Sequence, residues 1–425
     1  MEQTPKSNRV HIGFFGRCNA GKSTLINMLT DQPVSLVSEV AGTTTDPVSK
    51  SMEMLPLGPV VITDTAGIDD TSELGALRIG KSEEIIKKIN LAVYVLRNDE
   101  APTADDMMWL NKLKQNNVPI ALFINKINSS DSESARDNDS NGNDTNLNYV
   151  DAYPDLSAIA TVVGSTDFTS NRDRLTLLDL LGGLTPLDVE GEQSLLQGLV
   201  DPGDTIILVC PIDSAAPKGR LILPQVQTIR EILDHKGLAL VCQTEELPTM
   251  LNKLSQKPKL VITDSQAFEA VNALTPANIP LTSFSILMAR FKGKLQDLVT
   301  GVKALNNLKP GARVLISEGC THRRQCDDIG TVKIPMWLKK KGHTDLQLEF
   351  TSGGAFPKDV SGYDLIIHCG ACMLTRREVL RRIDCAVVQG TPIVNYGVLI
   401  ASLHGILERA ISPFMDELDR KGFEC

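Results

Sequence analysis

Aromatic side chains are scarce in this 425-residue chain, at 4%, and there is no basic excess, since 43 Lys and Arg face 52 Asp and Glu for a net charge of -9. A broad nucleic-acid surface needs cations for phosphates and aromatic faces for bases, so nucleic-acid partners are not expected. No uninterrupted apolar run approaches the roughly 18 residues that a membrane span requires. The opening Met1-Glu-Gln-Thr-Pro-Lys6 carries no apolar leader. Nine cysteines, an odd number without such a leader, do not suggest a disulfide framework and point to a reducing compartment. The expectation is a soluble, cytoplasmic protein without membrane partners. What is present is an ordinary globular balance, 42% hydrophobic and 22% charged, in a length that predicts roughly two to four domains.

Two constellations carry chemistry. The first follows the apolar run Val10–Phe15: Gly16-Arg-Cys-Asn-Ala-Gly21-Lys22-Ser23, then a helical pattern over Thr24–Thr30. This is a complete P-loop in strand-loop-helix context. Its glycines let backbone N–H groups of Asn19, Ala20, Gly21, Lys22, Ser23 and Thr24 wrap phosphates, Lys22 reaches the β- and γ-phosphates, and Ser23 holds Mg²⁺. Downstream, Gly42-Thr43-Thr44-Thr45-Asp46 reads as a switch loop in which Thr44 is the second hydroxyl ligand of Mg²⁺. Asp64-Thr-Ala-Gly67, after the run Val60–Thr63, places Asp64 on the magnesium water shell and the Gly67 N–H on the γ-phosphate. Asn125-Lys126-Ile-Asn128, after Ile120–Ile124, is N-K-x-D with its last residue changed. A carboxylate accepts both N1–H and N2–H of guanine, whereas an amide offers one acceptor and an opposing donor, so Asn128 weakens guanine selection. GTP remains the favoured nucleotide. Val163-Gly-Ser165-Thr166 loosely echoes the last base-binding element.

The second constellation is Cys320-Thr-His322 with His368-Cys369-Gly-Ala-Cys372, each behind an apolar run, Arg313–Ser317 and Leu365–Ile367. If those strands are parallel neighbours, three thiols and two imidazoles gather at one sheet edge as a metal site. Three thiolates suit an iron–sulfur cluster with one iron left open; with a histidine they equally suit tetrahedral zinc. Arg323, Arg324, Arg376 and Arg377 lie beside the thiols, either to balance charge, to receive an anion, or as exposed arginines. Cys326 is a spare, and Cys18, Cys210, Cys242, Cys385 and Cys425 have no partner spacing.

The stretch 128–148 has one Leu and one Ala as its only apolar residues and reads as a disordered insertion. A strand over Ala158–Val163 and a helix over Leu175–Leu181 close the first domain, 1–184, with a linker at roughly 184–200. An alternating β/α unit follows over 195–277: strands Thr205–Cys210, Leu238–Cys242 and Lys259–Thr263, helices Gln225–His235 and Leu247–Leu254. It holds no polar constellation, which suggests self-association. The third unit, 280–425, contains a long helix Ala289–Leu305 and both cysteine motifs, placed where open α/β sheets bind ligands, at strand carboxyl ends.

The first domain resembles the tRNA-modification GTPases. That resemblance implies that Asn19 binds K⁺ beside the phosphates and that K⁺ stimulates turnover. With Ile68 after Gly67 the water-positioning glutamine of small GTPases is absent, and the glutamate those relatives place before Arg-Ile-Gly has become Leu77 before Arg78-Ile-Gly80, with Glu73 nearby. Slow hydrolysis is the expectation. The three units in order, with C-x-H…H-C-x-x-C, Ala289-Arg-Phe-Lys-Gly-Lys-Leu295 and Pro392-Ile-Val-Asn-Tyr-Gly397, resemble the HydF family of [FeFe]-hydrogenase maturation GTPases. The resemblance implies an α/β architecture of P-loop GTPase domain, small β/α dimerisation domain and Rossmann-like cluster domain. It implies a homodimer carrying a [4Fe–4S] cluster on Cys320, Cys369 and Cys372, with His322 and His368 as labile ligand or supporting hydrogen-bond partners. It also implies receipt of a diiron precursor from HydE-type and HydG-type radical-SAM maturases and delivery to apo [FeFe]-hydrogenase. The competing reading is a zinc-stabilised GTPase of tRNA modification or ribosome assembly.

Overall fold

The computed structural model describes residues 9–30, 48–54, 57–65, 83–126, 152–160, 162–166, 171–184, 194–212, 221–319, 328–353 and 355–419. Thr43, Thr44, Gly67, Glu73, Leu77, Asn128, the 128–148 insertion, Cys320, His322, Arg323, Arg324 and Cys326 lie outside them. The chain divides into two compact units, Met1–Gly191 and Glu192–Cys425.

In the first unit the strands β1 (Val10–Phe15), β2 (Val48–Met54), β3 (Gly58–Asp64), β4 (Leu91–Arg97), β5 (Ile120–Asn125) and β6 (Val162–Thr166) form one sheet in the order β2-β3-β1-β4-β5-β6. Only β2 runs antiparallel to its neighbour. The central strands are apolar almost without interruption, as burial on both faces demands. One face packs Leu25, Ile26 and Leu29 of the helix Lys22–Thr30 with Leu177, Leu178 and Leu181; the other packs Trp109, Leu110 and Leu113. The expected strand over Ala158–Val163 is instead the end of a helix, Pro154–Ile159, and the start of β6. Pro154 at the first helical position sets the helical φ there, and a short apolar run cannot by itself tell strand from helix.

The second unit holds two parallel sheets. Strands β7 (Thr205–Val209), β8 (Leu238–Cys242), β9 (Leu260–Thr263) and β10 (Leu281–Ser283) are ordered β10-β9-β7-β8; β11 (Arg313–Glu318), β12 (Gln347–Ser352), β13 (Leu365–His368) and β14 (Ile393–Asn395) are ordered β12-β11-β13-β14. A single apolar core runs through both sheets and takes in Leu195 and Leu196, so the stretch around them is packed structure and not a loose linker. The expected long helix Ala289–Leu305 is broken: one helix ends at Lys292 and another spans Leu295–Val302. Gly293 between them is extended, and a Cβ on it would stand 2.7 Å from the Ala289 carbonyl oxygen. In the third sheet the chain runs from β11 to β12 on one side and then crosses back past β11 to β13 on the other, so the order reverses between β11 and β13. Ligands of open α/β sheets bind at such a switch point, beyond the strand carboxyl ends.

Candidate nucleotide and metal sites

The P-loop geometry follows from its glycines. Gly16 has φ +136°, and a Cβ on it would lie 2.4 Å from the Val95 carbonyl oxygen; Gly21 has φ +102°. Asn19 adopts the left-handed φ of 60°, which Asn tolerates better than most residues. Lys22 Nζ donates to the carbonyls of Gly16 (2.8 Å) and Arg17 (2.7 Å), and Ser23 and Thr24 are exposed in the first turn of their helix. Ala20 is held from a second element, since Asn125 Nδ2 donates to its carbonyl at 3.1 Å. The first residue of the N-K-x-D motif therefore braces the phosphate loop as well as flanking the base position. Lys126 is half-buried after it. The backbone of β6 pairs Ser165 with Ile124 and Thr166 with Asn125, so this segment ends beside the base-binding motif.

Asp64 ends β3 next to β1. Its Oδ1 is buried without a hydrogen-bond partner, and burial pushes its carboxyl above the usual carboxylate range while Lys22 pulls it back. A buried, orphaned carboxylate oxygen facing a lysine suits a site completed by a cation and its water shell, so the donors present fit Mg²⁺. Arg17 was not singled out in the sequence. Its guanidinium pairs with Glu100 (2.6 Å) and with the fully buried Asp106 (3.2 Å), which also accepts from Tyr94 Oη at 2.8 Å. No local signal marks Asp106 as its partner, because the contact closes across the sheet edge.

The metal motif sits at the switch point. β13 pairs Ser317 with His368, the Cys369 N–H donates to the Ser317 carbonyl at 2.9 Å, and the Gly319 N–H donates to Cys369 Sγ at 3.0 Å. The residue just before Cys320 thus touches the first thiol of C-x-x-C. Cys369 Sγ also receives the Ala371 N–H at 3.4 Å. Burial pushes the Cys369 thiol up to about 11 and raises Cys372, the latter opposed first by Lys292 and then by the N–H groups of Cys372 and Met373. Two half-buried cysteines supplied with N–H donors and a cation fit a metal whose charge removes their protons. Among the described residues no cluster of three or more His, Cys, Asp or Glu stands together; Cys320 and His322 lie outside that set. Behind the turn is a cavity of about 20 Å³ lined by Met288, Leu298, Val379 and Ile383. That volume admits about one water and is too small for a larger guest; His368, Cys369, Ala371 and Asn395 also line it.

His368 is buried with both nitrogens engaged. Nδ1–H donates to the Cys369 carbonyl at 2.9 Å, and Nε2 accepts from Arg382 Nη1 at 3.1 Å. Burial and the neighbouring guanidinium push the imidazole down to about 4. Arg382, 1% exposed, pairs with Glu378 at 2.8 Å and donates to the Gly353 carbonyl at 2.6 Å. Arg376 and Arg377 open the helix Arg376–Val388 just after the turn; Arg376 Nε donates to the Phe291 carbonyl at 3.3 Å. Lys292, also not anticipated, is 1% exposed and donates to the carbonyls of Ala371 (3.4 Å), Cys372 (3.0 Å) and Leu374 (2.8 Å). Ala371 itself holds φ at 55°, a left-handed conformation that costs an L-residue roughly 1–2 kcal/mol.

Comparison with known proteins divides the chain into three parts. Residues 195–293 match the hydrogen maturase F dimerization domain, residues 296–413 the hydrogen maturase F tetramerization domain, and residues 11–126 a family described as 50S ribosome-binding GTPase. Among curated relatives, the tRNA modification GTPase MnmE of Endomicrobium trichonymphae is 32% identical over 121 residues, 28% of this chain and 26% of that protein. GTPase Era of Clostridium tetani is 29% identical over 176 residues, 41% of this chain and 56% of that one. The chain thus spans about a quarter of the first relative's length and about half of the second's. A solved structure of an Era variant from Aquifex aeolicus bound to GDP and AlF4⁻ shares 17% identity at a TM-score of 0.33, covering 58% of this chain and 98% of that one, a likeness that carries no argument. Among the described residues no helix is long and apolar enough to cross a membrane. With a P-loop GTPase domain of α/β fold followed by both of that family's characteristic domains, the chain belongs to the hydrogen maturase F family.

Proposed function

We propose that the protein is a slow, K⁺-stimulated GTPase that serves as a homodimeric scaffold, holding a [4Fe–4S] cluster on Cys320, Cys369 and Cys372. On this reading it takes a diiron precursor from HydE-type and HydG-type maturases and passes it to apo [FeFe]-hydrogenase. The observation that carries it is the Gly319 N–H on Cys369 Sγ: it draws the chain next to Cys320 onto the C-x-x-C turn, at the switch point between β11 and β13. The bound cluster would supply an open iron position to which the diiron cargo attaches. The chain's own part is to orient and to insulate. Peptide N–H groups stabilise the Cys369 sulfur, and Met288, Leu298, Val379 and Ile383 pack apolar surface beside the turn. With Nε2 committed to Arg382, His368 is better suited to orienting the Cys369 carbonyl than to ligating iron.

In the GTPase domain Lys22 neutralises the β- and γ-phosphates, and Ser23, Thr44 and Asp64 would hold Mg²⁺ and its waters. Asn19 would bind K⁺, the Gly67 N–H would meet the γ-phosphate, and Asn128 would loosen base selection. Loss of the γ-phosphate releases the switch loops and so gates partner exchange.

The test is anaerobic purification, reconstitution with iron and sulfide, and electron paramagnetic resonance after reduction, wild type against Cys369→Ala. An axial [4Fe–4S]⁺ signal lost or strongly altered in the variant supports the scaffold. A silent spectrum with stoichiometric zinc overturns it in favour of a structural-zinc GTPase.

A further inference from the structure

A lysine buried to 1% exposure at the end of a helix, with its Nζ against three main-chain carbonyls, has no role in the function proposed above. Its partners are not scattered: Ala371 and Cys372 belong to the C-x-x-C motif and Leu374 lies two residues beyond it. A peptide unit is planar and trans, so its C=O and the N–H of the following residue point in opposite directions. Where the Ala371 carbonyl faces Lys292, the Cys372 N–H of the same peptide faces away from it. Where the Cys372 carbonyl faces Lys292, the Met373 N–H does likewise. Both N–H groups are thereby turned to the side opposite the lysine, and both hold the Cys372 thiol down against the effect of its burial. The ammonium therefore fixes the orientation of both peptides from their carbonyl side.

We propose that Lys292 is the positioning residue of the C-x-x-C turn: by gathering the carbonyls of Ala371, Cys372 and Leu374 it aims the N–H groups of residues 372 and 373 at the Cys372 sulfur and supplies the compensating positive charge for the thiolates. It also explains how the left-handed Ala371, three residues past the end of β13, is retained without glycine. The location of Lys292 on a different element is essential, because a side chain from within the turn could not pull its carbonyls outward. Gly293 follows at once, and a Cβ there would collide with the Ala289 carbonyl oxygen, so the helix ends where the lysine must turn toward its partners.

The reading of Cys369 and Cys372 as cluster ligands underlies the second half of the proposal, and the experiment separates the two. Full-length apo-protein, wild type and Lys292→Met, is compared by hydrogen-exchange mass spectrometry, with Lys292→Arg as the charge-conserving variant. Removing the ammonium is expected to speed exchange at residues 371–375 roughly tenfold or more, the scale of losing charge-assisted hydrogen bonds, with little change in the first unit. Lys292→Arg is expected to restore part of that protection. In reconstituted protein the midpoint potential of Lys292→Met should move to a more negative value, since lost N–H and ammonium contacts destabilise the more negatively charged reduced cluster. A purely structural lysine would not move that potential in a folded variant. Equal exchange in wild type and Lys292→Met overturns the proposal. So does unprotected exchange at residues 372 and 373 in the wild type, a measurement that stands even if Lys292→Met does not fold. Faster exchange in Lys292→Met, together with a wild type that accepts zinc but no iron, would keep the positioning role and sink the cluster reading instead.

Discussion

Gly301→Ala is the sharpest test of how the second unit supports its switch point. Gly301 lies in the helix Leu295–Val302, which packs directly on β14; a Cβ at this position would stand 1.9 Å from the Ile393 carbonyl oxygen, 2.7 Å from its carbon and 3.0 Å from its nitrogen. All three are main-chain atoms, so no side chain can rotate away, and the helix and strand must part by about 1.5 Å to reach ordinary contact. Helix propensity favours Ala by about 1 kcal/mol, while forcing one extra methyl into a packed backbone contact costs about 3 kcal/mol at the upper end of overpacking. The net loss is about 2 kcal/mol, and it falls on the strand whose Asn395 pairs with His368 and donates to the Ser285 carbonyl. Gly183→Ala is the matched control. Gly183 is also helical, but a Cβ on it meets nothing within 4 Å, so a gain of up to about 1 kcal/mol is expected in the first unit. Urea unfolding of the full chain, read by pulsed hydrogen exchange and mass spectrometry, follows the two units separately, as a two-unit protein requires. The midpoint of the second unit should fall by about 1 M in Gly301→Ala, for a urea slope of about 2 kcal/mol/M. An unmoved or raised midpoint at unchanged slope would refute the argument that helix and strand backbones are in direct contact.

Arg382→Met removes the cation from a buried cluster and leaves Glu378, His368 Nε2 and the Gly353 carbonyl short of a donor; a loss of about 3–5 kcal/mol in the second unit is expected by denaturation, and a loss below about 1 kcal/mol would show the cluster to be dispensable. The buried Cys210 thiol is pushed up to about 12 by desolvation, with Asp264 and Cys242 adding to the effect. Its folded value lies above the unfolded one, so the stability it contributes is complete below pH 9 and drains as the pH rises toward about 12. Cys210→Val should flatten the alkaline limb of the stability curve, and at pH 8 iodoacetamide should label exposed Cys18 in preference to Cys210. Lys22→Met should lower GTP hydrolysis by roughly 10²–10³-fold through lost phosphate stabilisation; steady-state turnover near wild type would remove Lys22 from the phosphate site.

The two turns were legible where their shape depends on residues close in sequence. Gly16 through Ser23 and the Cys369–Cys372 pair each define a turn by local spacing, and the apolar runs Val10–Phe15 and Leu365–Ile367 are strands because burial on both faces requires continuous apolar residues, whereas Leu238–Cys242 is an equally apolar strand at a sheet edge with Leu238 and Val241 exposed. Where local cues competed, they misled: Ala289–Leu305 keeps a helical pattern across Gly293, and Ala158–Val163 has the composition of a strand although Pro154 starts a helix there. Sequence alone could not pair Lys292 with the carbonyls of 371–374, Arg382 with His368, Arg17 with Asp106, or Asn125 with Ala20. Each of these joins residues on separate elements, and a buried charge or amide takes whichever partner the packing delivers to it. Residue type and spacing thus determined what chemistry the two turns can perform, while only the tertiary structure decided which side chains hold those turns in shape, because the cost of an unsatisfied buried polar group is settled only once the surrounding elements have packed.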